Sequence, residues 1–248
     1  MDNENSNRFL TAFNDIEAEL TDRMGHHKAG GFAQILNMLK RNDAQVRLHY
    51  HTLRQFAKLR NAIVHNMRED FVIAEPHMEV VEEIERIRDY LAKPPIIADY
   101  MTTHPFHVPK DTPLAEVITT FKKRNFQRCP IIDRSGVCGL ITAKSITKWI
   151  ASILAHPEKK ANDLPLERLM DRTVEDVLPF CSQNEYAIVP RNASLADAVY
   201  LFRSSIEKGK YLQSLLVTAE GTPQSALVGI IAPSDLPRLF TDDIDLED

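Results

Sequence analysis

The sequence predicts an α+β protein: an N-terminal four-helix bundle followed by two β-α-β-β-α repeats. Three observations carry that expectation: four segments of helical periodicity before residue 93, a proline pair that ends them, and one pattern that occurs twice in the remainder. At 248 residues the chain has room for two domains that each bury a core. A hydrophobic content of 44% and a charged content of 26% are those of a soluble globular chain. No apolar run approaches the roughly 20 residues that cross a bilayer, so no membrane partner is expected. The segment MDNENSNRFL lacks the basic-then-apolar order of a secretory signal, which makes a cytoplasmic location the expectation.

The helical segments run over residues 6 to about 24, 31–41, 43–66 and 76–92, marked by Phe9, Phe13, Ile16 and Leu20 in the first and by Val80, Val81, Ile84, Ile87 and Leu91 in the last. Short connections between them suggest a bundle. Residues 26–31 and the pair Asn42-Asp43 supply breaking and capping groups, with Asp43 placed to cap the third segment. Lys93-Pro94-Pro95 ends the helical part, because neither proline can continue a helix interior. The expected first domain is therefore residues 1–92, and the acidic tail TDDIDLED closes the chain at 241–248.

Beyond the prolines, VPKDTPLAEVITTF from Val108 aligns with VPRNASLADAVYLF from Val189, an offset of 189 − 108 = 81. GLITAKSI from Gly139 aligns with GIIAPSDL from Gly229, an offset of 229 − 139 = 90. The nine extra residues of the second copy are expected in the loop around residues 219–224. Each copy reads as strand, helix, strand (CPIID or SLLVT), strand (CGLIT or VGIIA), helix. Two such copies can bury their sheets against one another.

This repeat resembles a tandem pair of CBS motifs, the Bateman module, over residues 96–240, with the first motif at about 96–155 and the second at about 170–240. The resemblance implies an adenine nucleotide, such as AMP or ATP, as a regulatory ligand in the cleft between the motifs, with no cofactor required. It places the base against the first strand of each copy, here Val108 and Pro109, and Ile188, Val189 and Pro190. It also implies a hydroxyl residue followed three positions later by an aspartate, since a helix N-terminus and a hydroxyl donate to phosphate while a carboxylate accepts from ribose. Here Thr142 is followed by Ser145, and Ala232 is followed by Asp235, so each copy retains half of the pair. Arg128, two positions before Pro130, matches the arginine that reaches phosphate in nucleotide-sensing kinase subunits. Lys208 and Lys210 stand as a weaker equivalent in the second copy. Two alternatives remain open: Arg128 as a solvated strand residue, and the pair as a dimerisation unit with an empty cleft.

The segment LRNAIVHN raises a separate question. On one helix over residues 43–66, Val46, Tyr50, Leu53, Phe56, Ala57, Ile63 and Val64 form an apolar stripe that contains Arg60. Arg47, His51, Arg54, Lys58, Asn61 and His65 form a polar line without an acidic member. The order Arg60, Asn61, His65 in a helical unit of this size is similar to the HEPN superfamily, whose active members are metal-independent ribonucleases assembled from two protomers. That resemblance implies a homodimer. It also implies either a scaffold or an RNA-cleaving enzyme, in which His65 would move the proton of a ribose 2′-hydroxyl and Arg60 would stabilise phosphate charge. RNA is the partner under the second alternative.

The three cysteines, Cys129, Cys138 and Cys181, form no CxxC, and the nine histidines form no HExxH, so no metal site is expected. A net charge of −5 argues against attraction of the whole surface to nucleic acid while leaving room for a local basic strip. The expected function is thus a nucleotide-binding regulator with a dimeric helical domain, the alternative being a ribonuclease under nucleotide control.

Overall fold

A computed structural model describes residues 4–25, 30–65, 75–155 and 171–237. The chain divides into two compact units, residues 1–95 with 194–200, and residues 96–193 with 201–248. Helices fill the first unit, whereas the second holds every strand among the described residues, which makes the chain α+β.

The helical unit contains α1 (Glu4–Arg23), α2 (Phe32–Leu39), α3 (Ala44–Leu48), α4 (Tyr50–His65) and α5 (Met78–Ala92). Its core forms where the apolar stripes meet: Phe9, Ile16 and Leu20 of α1, Leu36 of α2, Leu53 and Ile63 of α4, and Val81, Ile84 and Leu91 of α5 are all buried. Rings interlock at its centre, with Phe9 edge-on to Phe56 at 5.6 Å and Phe13 tilted on Phe32 at 4.6 Å. Asp43 caps α3 as expected, accepting from the N–H groups of Gln45 and Val46 at 2.9 and 3.0 Å. Arg23 ties three elements together through Glu19, Asp43 and Gln45 and through the carbonyl of Leu91. The breaking segment expected at residues 26–31 lies mostly outside the described residues.

The single helix expected over residues 43–66 is two helices, broken at His49, where φ is −98° and ψ is 13°. The break turns the His49 ring edge-on to Tyr90 at 5.1 Å, so an internal packing contact replaces helical continuity. Arg47 leaves the expected polar line as a result. Its guanidinium donates to the carbonyls of Lys40 and Arg41 and lies 3.9 Å from the centre of the Tyr200 ring.

In the second unit, β2 (Arg128–Asp133) and β3 (Gly136–Thr142) form an antiparallel pair, and β1 (Thr102–Thr103), β4 (Tyr186–Pro190), β5 (Ser214–Thr218) and β6 (Leu227–Ile231) form a sheet of order β1-β6-β5-β4. The helices are α6 (Leu114–Arg124), α7 (Ala143–Leu154), the single turn α8 (Val174–Val177) and α9 (Leu195–Glu207), whose first residues belong to the helical unit. The repeat is reproduced in register. Ile131 is parallel to Val108 and antiparallel to Gly139; Val217 is parallel to Val189 and antiparallel to Gly229. A bulge follows the central residue in both copies, at Ile131/Ile132 and at Val217/Thr218.

This register relocates the insertion. The central strands are offset by 217 − 131 = 86, so five extra residues of the second copy (86 − 81) precede β5 and only four (90 − 86) lie in the β5–β6 loop. The first strand of the first copy also differs from expectation, being a single bridge at Val108. Pro105 and Pro109 flank it, and a proline cannot donate to a ladder.

Each copy has its own reason for the shared glycine. A Cβ at Gly229 would collide with the Met101 side chain, and one at Gly139 would press on Leu178 Cδ1 at 3.3 Å. Both intruding side chains come from the segment that leads into a copy. Val137, Leu140 and Leu216 are buried together between the two sheets, with Tyr186, Ile188 and Ile230 around them. Trp149 packs in the first-copy core with Leu114, Phe121 and Ile146. Among the described residues no helix is long and apolar enough to cross a membrane.

Candidate functional site

The register sorts the candidate residues to opposite ends of the strands. Arg128 opens β2 and lies directly opposite Thr142, the last residue of β3 and the N-cap of α7. Cross-strand partners on one face stand about 5 Å apart at Cβ, so the arginine and the helix start form one locus. Phe106 belongs to this end, since its carbonyl accepts from Cys129 Sγ at 3.4 Å. Val108 sits three residues further along β2, buried against Ile131. Pro109 lies beyond it and lines a separate groove of about 700 Å³ with Lys110, Asp111, Ile132 and Asp133. Ile188, Val189 and Pro190 run alongside Leu216, Val217 and Thr218, which likewise carries Pro190 away from the Ser214 end of β5.

At the start of α7, Thr142 and Ser145 are both buried and cap the helix reciprocally. Ser145 N–H donates to Thr142 Oγ1 at 3.0 Å, and Thr142 N–H donates to Ser145 Oγ at 2.9 Å. Serine at the position where the resemblance implies an aspartate therefore completes a capping box, and the Ser145 hydroxyl proton goes to the Thr142 carbonyl at 2.8 Å. In the second copy Asp235 accepts from the Ala232 N–H at 2.8 Å through Oδ2. The carboxylate thus holds the short 3₁₀ turn Pro233–Asp235, and among the described residues its Oδ1 takes no side-chain hydrogen bond.

Arg128 donates through Nη1 to the carbonyl of Gln213. One of its five donors is spent on this bond. The offset of 86 makes Ser214 its counterpart in the second copy rather than Lys208 or Lys210, which precede the strand. Ser214 is fully buried and donates to the same Gln213 carbonyl at 2.7 Å. Arg128 therefore has no arginine twin at the start of β5.

Sequence reasoning missed two further residues here. Gln213 N–H donates to the Glu185 carbonyl at 2.6 Å, and the buried Glu185 side chain pairs with Lys144 of α7 at 3.2 Å. A chain of contacts thus runs from the start of β2, through Gln213 and Glu185, to the start of α7. No local motif marks Glu185; only the strand register could have brought it forward. Burial raises the Tyr186 hydroxyl and the Cys181 thiol above their ordinary pKa values, and it pushes the Cys129 thiol up to about 12. All three are protonated near neutrality, and Cys129 is no nucleophile.

On α4, Arg60 is half-buried and donates to Asn61 Oδ1 at 3.4 Å, and Asn61 is exposed, as are His51, Arg54 and Lys58. Ile63 is buried and Val64 half-buried, as the expected stripe requires. The His65 side chain lies outside the described residues.

No curated protein matches the chain. Among solved structures, it is similar to a putative acetoin utilization protein (AcuB) from Vibrio cholerae at 16% identity, covering 58% of this chain and 88% of that one with a TM-score of 0.43. It is also similar to the CBS domain pair of protein MJ0100 in complex with 5-methylthioadenosine and S-adenosyl-L-methionine, at 20% identity, 59% and 96% coverage and a TM-score of 0.41. A third, CBSX2 in complex with AMP, gives 17% identity, 58% and 94% coverage and a TM-score of 0.41. Scores of this size decide neither fold nor ligand. The sequence comparison is specific where it applies: residues 97–152 match the CBS domain family.

Proposed function

We propose that residues 96–240 are a tandem CBS pair that binds an adenine nucleotide between its motifs and that the helical unit, as a homodimer, senses its occupancy. The observation that carries this reading is the shared register, in which Val108, Ile131 and Gly139 repeat as Val189, Val217 and Gly229 about a common buried core. The family match at residues 97–152 supplies the first motif, and the register extends the pattern to the second.

Phosphate belongs at the Arg128 end. Among the described residues four guanidinium donors remain there, beside the Thr142 hydroxyl and the α7 N-terminus. Asp235 Oδ1 is the acceptor for ribose hydroxyls. Because Ser214 replaces the arginine in the second copy, the site with phosphate affinity is single. The route to the helical unit is α9, which is shared by both units, together with the stiff Lys93-Pro94-Pro95 segment. The ribonuclease alternative has no comparable support among the described residues, where Arg60 bonds to its neighbour Asn61.

The test is thermal unfolding of the full chain against AMP, ADP, ATP and S-adenosylmethionine. A ligand that binds only the folded state stabilises it by about 2.7 kcal/mol at a hundredfold excess over its dissociation constant. One nucleotide is expected to raise the transition temperature, with the rise reduced in Arg128→Ala. No rise with any of the four would leave the pair a dimerisation scaffold.

A further inference from the structure

The offset of 86 that matches β2 to β5 also sets side by side the segments that lead into them, FKKRNFQR in the first copy and EKGKYLQS in the second. Both loops carry cations and an exposed ring. Lys122 and Lys123 are exposed, as are Lys208 and Lys210. Phe126 is 39% exposed and Tyr211 is 65% exposed. The bond from Arg128 to the Gln213 carbonyl joins the two loops, since Phe126 lies two residues before one partner and Tyr211 two residues before the other.

Helix ends account for part of this composition. Lys122, Lys123 and Arg124 occupy the last turn of α6, where cations complement the helix dipole. The dipole explains neither the rings nor Lys210, which lies beyond α9. None of these four lysines forms an ion pair among the described residues. Arg124 is placed over aromatic faces instead, 5.4 Å from the centre of Phe106 and 6.0 Å from that of Phe126. Unpaired cations gathered beside exposed rings, on a chain whose net charge is −5, mark a local anionic partner with flat faces.

We infer that this rim, built from the loops before β2 and β5, binds single-stranded nucleic acid, with phosphates on Lys122, Lys123, Lys208 and Lys210 and bases stacked on Phe126 and Tyr211. A single strand fits because its unpaired bases can stack on successive rings while its backbone follows the charge. Duplex DNA hides its base faces and would use only the lysines. The rim adjoins the nucleotide locus through the Arg128–Gln213 bond and the Phe106–Phe126 ring contact, but its lysines and rings are exposed, whereas Thr142 and Ser145 are buried.

Fluorescence anisotropy of a labelled twelve-nucleotide oligouridylate, titrated with the full chain at 50 and 200 mM salt, tests the assignment; an oligothymidylate separates RNA from DNA. Binding is expected to weaken at least tenfold between the two salts. Phe126→Ala and Tyr211→Ala should each weaken it about tenfold, with the thermal transition unchanged in Tyr211→Ala, whose side chain is the more exposed. Lys208→Glu with Lys210→Glu should abolish it. Arg54→Ala with Lys58→Ala on α4 should leave it intact. Absence of binding at 50 mM salt would overturn the assignment, as would binding that survives both aromatic substitutions or requires the α4 cations. A nucleotide-induced thermal shift that persists in Phe126→Ala and Tyr211→Ala would separate this result from the fate of the CBS reading.

Discussion

At the scale of single residues, the charged groups inside the helical unit follow two regimes. Burial opposes the charge of Arg23, but hydrogen bonds to the Glu19 and Asp43 carboxylates outweigh it and raise the pKa, and the Leu91 carbonyl accepts a further bond. His49 has no such partner: burial lowers its pKa to about 4, and its Nε2 is buried without a hydrogen-bond partner among the described residues. The unfolded imidazole titrates near 6.5. The unfolded state therefore binds more protons between about pH 4 and 6.5, and the stability associated with neutral His49 is full above pH 6.5 and is lost as pH falls through that window. A loss of about 2 kcal/mol on going from pH 7 to pH 4.5 is expected in urea unfolding. His49→Leu should flatten the slope over that interval; an unchanged slope would show that the ring is hydrated in the folded protein. A sequence contains no sign of such burial, because nothing local marks a histidine that breaks a helix to meet a tyrosine on α5.

At the scale of elements, periodicity and turn chemistry were legible and pairing geometry was only partly so. The stripes of α1 and α5, the Asp43 cap and the two anchor glycines could be read directly because each depends on neighbours within a few positions. The extent of the first strand could not, since the effect of Pro105 and Pro109 on a ladder depends on which partner lies alongside. The insertion was misplaced for a related reason: two anchors fix only a total offset, and the third, Val217 as the counterpart of Ile131, emerges only from the strand pairings. Close approach at Gly229 belongs to this scale as well. Gly229→Ala should cost about 1–2 kcal/mol by displacing Met101 from β6, a range typical of overpacking. Gly139→Ala, which meets only the flexible end of Leu178, should cost less, and equal losses in chemical denaturation would argue against this account of the repeat.

At the scale of the whole molecule, duplication has left two copies alike in backbone and unlike in chemistry. The register is common, yet arginine faces serine at positions 128 and 214, and a Thr-Ser capping pair faces an Ala-Asp pair at the two helix starts. The sequence showed this asymmetry at Thr142 and Asp235, but the true counterpart of Arg128 required the strands to be paired. Under the proposed reading, one copy offers phosphate donors and the other an acceptor for a ribose hydroxyl, which suits a single nucleotide better than two. Calorimetric titration of AMP and ATP into the full chain tests this most directly. The account predicts saturable binding of one equivalent per chain, weakened at least tenfold by Arg128→Ala. Two equivalents of equal affinity, or no heat at millimolar nucleotide, would contradict it.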